Sequence, residues 1–63
     1  MRYTFNKEFQ ERFIAGQASE EEIIEAMADC IARDLHFGAR GYYRRLAQTL
    51  IDAGYIDSNG RIL

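Results

Sequence analysis

Residues 19–35, SEEEIIEAMADCIARDL, decide how the rest of the chain must be arranged. Ser19 followed three residues later by Glu22 has the spacing of a capping box. In that motif the serine hydroxyl accepts the Glu22 N–H, and the Glu22 carboxylate reaches back to the Ser19 N–H. Glu20, Glu21 and Glu22 also place three negative charges in the first turn, where the helix dipole favours them. The stretch predicts a helix over 20–36. Projected at 100° per residue, Ile23, Ile24, Met27, Cys30, Ile31 and Leu35 share one face. Glu21, Glu22, Glu25, Asp29 and Arg33 fall on the other, with Asp29 and Arg33 spaced to pair. Asp34 breaks the pattern by projecting into the apolar face. A carboxylate there needs Arg40 or a backbone N–H as partner, or a place at the mouth of the core.

Upstream, Phe5, Phe9 and Phe13 recur every four residues and form one stripe on a helix expected over 6–15. Thr4 or Asn6 serves as its N-cap, and Gly16 ends it in the left-handed conformation. The three phenylalanines are expected to be core. Downstream, residues 36–41, HFGARG, form a connector in which two glycines permit a change of direction. Over 42–53 the faces separate again. Tyr42, Tyr43, Leu46, Ala47, Leu50 and Ala53 fall in one arc, with Arg44, Arg45, Gln48, Thr49 and Asp52 opposite. Gly54 followed by Tyr55 predicts a Schellman-type stop. Asn59-Gly60 then places a turn between two short extended pieces, too short to stand without the helices. The expected fold is all-α: a single domain over 1–63 with helices at about 6–15, 20–36 and 42–53 and a short hairpin-like C-terminal tail.

Composition narrows the function. A chain of 63 residues buries only about 60% of its unfolded surface, so its stability is marginal without help. Cys30 is the sole cysteine and His36 the sole histidine, so neither an internal disulfide nor a Cys/His zinc site is available. That leaves close helix packing or oligomerisation, and a homodimer is expected. No apolar run approaches the roughly 20 residues of a membrane span, and the first residues lack a signal-peptide core. With a lone free thiol, this points to the cytoplasm. Residues 55–62 imitate a calcium loop only in part: Tyr55 would stand at the first ligand position, and the bidentate glutamate is missing. No phosphate loop, metal-ligand spacing or nucleophile elbow is present. The expectation is a non-catalytic regulatory protein with no cofactor, no metal and no small-molecule substrate.

Two kinds of partner remain. Residues 1–35 carry four basic against eight acidic side chains, and residues 36–63 carry four against two. The basic half contains Leu50-Ile51-Asp52-Ala53-Gly54-Tyr55-Ile56, followed by Asn59-Gly60-Arg61. With these motifs, residues 40–63, about 24 residues, resemble the recognition helix and wing of winged-helix and helix-turn-helix regulators. The resemblance implies DNA binding by the helix over 42–53. Arg44, Arg45, Gln48 and Thr49 would face the bases, and Arg40 and Arg61 would hold phosphates. The alternative is a small acidic protein–protein interaction module, of the kind phages and plasmids carry as regulators or inhibitors. It would dimerise and dock on a larger host protein. On that reading Glu21, Glu22, Glu25 and Asp29 face a basic patch, with Phe37 and Tyr42 as aromatic anchors.

Overall fold

The computed structural model describes residues 2–33 and 41–63. Asp34, Leu35, His36, Phe37 and Arg40 lie outside them. Among the described residues three helices follow in order: α1, Lys7–Ile14; α2, Glu20–Ala32; and α3, Tyr42–Asp52. The fold is all-α, as the periodicity predicts.

Local signals account for most of the boundaries. The Asn6 side chain caps α1 by accepting the Phe9 N–H at 2.8 Å. Gly16, with φ +74°, turns the chain out of α1; its N–H reaches Phe13 O and that of Gln17 reaches Arg12 O. The same pair of bonds closes α3, where Gly54 N–H goes to Ile51 O and Tyr55 N–H to Leu50 O at 3.0 Å each. Both ends are Schellman stops. The helix predicted over 20–36 is shorter than expected, ending at Ala32 with Arg33 as its C-cap. Apolar spacing alone carried that prediction past Arg33, and Arg33 turns its guanidinium back onto Asp29 and the Phe5 carbonyl.

The capping box forms only by half. Ser19 Oγ accepts the Glu22 N–H at 3.1 Å, as predicted. The Glu22 carboxylate, however, does not return to Ser19. It receives the Arg12 guanidinium from α1, through Nε at 3.1 and 3.2 Å and Nη2 at 3.1 Å. Glu22 is buried, and a buried carboxylate gains more from a two-pronged cation than from one backbone N–H.

α2 is the central element, packed against both α1 and α3. Ala26, Met27, Ala28 and Cys30 are completely buried along it. The expected phenylalanine stripe is core: Phe5 and Phe9 are buried and Phe13 packs at the edge. Their rings run into α3, with centroids 5.7 Å apart for Phe5–Phe9 and for Phe9–Phe13. Phe5 meets Tyr43 edge-on at 5.1 Å, and Phe13 lies 5.8 Å from Tyr42. Such pairs add about 0.5–1.5 kcal/mol each beyond their buried area.

The tail forms the hairpin-like closure. Ile56 and Ile62 make one antiparallel bridge, supported by Asp57 N–H to Arg61 O at 2.9 Å. Ile56 is fully buried, so the tail is part of the core. Gly60 is buried as well, and it lies directly on α2. A Cβ added there would stand 2.5 Å from Ala28 O and 2.6 Å from Ala32 N. Gly54 has nearly the same backbone, φ +85° against +83°, but opens onto space.

That contrast gives a measurable difference. Gly54→Ala is expected to cost about 1 kcal/mol, the strain of a left-handed alanine. Gly60→Ala adds a collision with a rigid helix backbone and is expected to cost about 2–4 kcal/mol. Urea unfolding of the two variants checks this, and equal costs would mean that the tail does not press on α2.

Candidate interaction surface

Glu22, Glu25 and Asp29 stand three and four residues apart, so they line one edge of α2. The sequence placed them, with Glu21, on an outward acidic face. The structure corrects this for three of the four. Glu22 is buried against Arg12. Glu25 is half-buried and accepts the backbone N–H groups of Arg2 at 2.6 Å and Tyr3 at 3.3 Å. Asp29, also buried, accepts the Phe5 N–H at 2.9 Å and pairs with Arg33 as predicted. The N-terminal arm, residues 2–5, lies along this edge and uses its carboxylates. Only Glu21 remains exposed. Amphipathic projection missed the arm because backbone N–H groups carry no sequence signature.

The protonation equilibria follow from these contacts. Burial pushes the Asp29 carboxyl upward, but the bonds from Arg33 and the Phe5 N–H outweigh it and hold it below the ordinary range. The Arg2 N–H lowers Glu25, and the Arg61 N–H lowers Asp57. Burial pushes the Cys30 thiol up to about 11, so it is protonated and unreactive near neutral pH. No group of three His, Cys, Asp or Glu side chains among the described residues is placed to hold a metal. A polar hollow of about 450 Å³ lies under the arm, but its Arg12 and Glu22 already bind each other.

The outer face of α3 is as the sequence placed it. Arg44, Arg45, Gln48 and Thr49 are all exposed. Gln48 Nε2 donates to Asp52 Oδ1 at 2.9 Å, and Thr49 Oγ1 to Arg45 O at 2.9 Å. Neither arginine has a carboxylate partner among the described residues, in contrast to Arg12 and Arg33. Arg61 is exposed, with its N–H held by Asp57 Oδ1 at 2.9 Å. The turn before it, assigned to a wing by the resemblance, rests on α2 through Gly60. Arg40 and Phe37 lie outside the described residues.

The sequence placed Ile23, Ile24, Leu46 and Leu50 on the apolar faces of their helices, and all four pack against the core. They are only half-buried, and together with Glu20 and Tyr55 they line an open groove of about 230 Å³. A second hollow of about 240 Å³, lined by Tyr42, Arg45, Leu46 and Thr49, adjoins it through Leu46. Joined at Leu46, the two make one strip over the outer edge of α3 and the start of α2. Tyr42 and Arg45 mark one end, and Tyr55 and Glu20 mark the other. Tyr42 is 58% exposed and Tyr55 51%, so both rings stand largely in solvent at the ends of the strip. The chain matches no protein family, no characterised protein and no solved structure.

Asp29 offers the clearest test of the arm contacts. A carboxylate whose folded pKa is depressed contributes stability that is present above its unfolded pKa of about 4 and lost as pH falls through the folded value. The melting temperature is therefore expected to hold from pH 7 to about 5 and fall below about 4. Asp29→Asn should cost about 2 kcal/mol at pH 7 and flatten that acid limb. Thermal melts of both proteins between about pH 2 and 7 decide it; an unchanged limb would show that the arm does not depend on this carboxylate.

Proposed function

We propose that the protein is a non-catalytic interaction module that works by presenting the α2/α3 strip to another protein chain. One observation carries this reading: half-buried Ile23, Ile24, Leu46 and Leu50 lie open between two exposed tyrosines. Apolar floors with aromatic anchors are what protein interfaces bury, and tyrosine is among the residues that dominate their binding energy. The acidic stripe, by contrast, is occupied by the molecule's own arm and supplies no docking face. On this reading its role is regulatory, exerted by contact alone.

Site-specific photo-crosslinking in cells tests the reading. A crosslinker at Tyr55 or Tyr42 is expected to capture a defined protein species, and one at exposed Glu8 on α1 is not. Equal capture from all three positions would overturn it.

A second reading, DNA binding by α3, is favoured by the two arginines that lack carboxylate partners among the described residues. Glu22 and Asp29 are paired with Arg12 and Arg33, which reduces the repulsion an acidic chain would otherwise exert on phosphates. Arg44 and Gln48 lie further round α3 from the strip. Titration of mixed duplex DNA against salt decides this reading. Phosphate contacts would make log affinity fall by nearly one unit of slope each, and Arg44→Ala would lower that slope by about 1. No binding at low salt would remove the reading.

A further inference from the structure

Resting on the protein-interaction reading, we infer that the occupant of the strip is a second copy of this chain, docked about a two-fold axis that passes near Leu46 and Leu50. The order of side chains along the strip is the reason. An isologous interface brings each end of a patch against the opposite end of its twin, so the patch must be complementary to its own reverse. This strip is. A guanidinium, Arg45, marks one end and a carboxylate, Glu20, marks the other. Reversal sets Arg45 of each copy against Glu20 of the other, twice per dimer. It also sets Tyr42 against Tyr55, and the leucines meet at the axis. Both charged groups are exposed, and neither has an ion-pair partner among the described residues of its own chain.

A partner of a different kind would need a basic group and an acidic group arranged at the same separation, and the second copy brings both. The apolar content suits it too. The floor consists of residues that already complete the core from inside, so pairing extends a core that 63 residues leave thin. Few side chains line the strip beside the roughly 20–30 residues a side of a standard interface, which places the dimer at the weak end of specific interfaces.

Charge exchange tests the geometry with exposed residues only, and Glu20→Arg leaves Glu21 and Glu22 in the first turn of α2. Sedimentation velocity between about 1 and 500 μM follows wild type, Glu20→Arg, Arg45→Glu and an equimolar mixture of the two variants. Wild type is expected to dimerise. Each single variant is expected to dimerise about tenfold more weakly or worse, since both of its end contacts become like-charged. The mixture is expected to recover wild-type association, because in the mixed dimer both end contacts again join a guanidinium to a carboxylate. Circular dichroism establishes that each variant is folded. Dimerisation indifferent to both substitutions, or no recovery on mixing, would overturn the proposed pairing. A wild type that stays monomeric throughout would overturn self-association. In that case crosslinking from Tyr55 to a different protein would leave the interaction reading standing, and no selective crosslink would remove both.

Discussion

The contact on which the structure depends is the grip of the α2 carboxylates on the first dozen residues. Glu22 takes Arg12, Glu25 takes the N–H groups of Arg2 and Tyr3, and Asp29 takes the Phe5 N–H together with Arg33. An extended arm has backbone donors that no ladder satisfies, and burying them without partners costs about as much as losing a hydrogen bond apiece. The carboxylates satisfy them along one edge of a helix. That fixes where Phe5 enters the core, and Phe5 joins Phe9 to Tyr43 from one side as Phe13 does from the other. Anchoring the arm thereby anchors α1 to α3 through the aromatic column.

With that edge covered, α2 is enclosed on several sides. The neighbouring flank at Ala28 and Ala32 is small enough for the tail to lie on the helix backbone, and Gly60 is the residue that touches it. Two constraints meet at this glycine: a positive φ and a space too small for a methyl group. The fully buried Ile56 is held in place by the same closure. A 63-residue chain without an internal disulfide thus gains compactness by wrapping both of its ends around one helix.

The parts of this arrangement that were legible in the sequence are those governed by local chemistry. Asn6, Ser19, Gly16 and Gly54 cap or stop helices through bonds spanning a few residues, and each behaves as its type predicts. The Asp29–Arg33 pair was legible for the same reason. Contacts joining distant segments were not legible. Glu22 scored as solvent-facing because a helical projection knows only its own helix, and Arg12 lies ten residues away on another. Gly60 read as a turn glycine; nothing local indicates that Ala28 and Ala32 wait beneath it. Leu46 and Leu50 sat on the apolar face of α3, but whether a neighbour covers that face is a question of tertiary packing.

That last distinction bears on function. An apolar residue on the right helix face belongs to the core only if enough chain exists to cover it. Here the arm and α1 cover one side of α2, and the tail covers another. The seam between the start of α2 and the outer edge of α3 is left with Ile23, Ile24, Leu46 and Leu50 half-open. Small size alone would leave an uncovered seam, but it would not bracket that seam with exposed tyrosines or place opposite charges at its two ends. On the proposed reading those features shape a surface for contact, and the placing of Arg45 on α3 and Glu20 on α2 at its two ends makes a second copy the partner that best satisfies them.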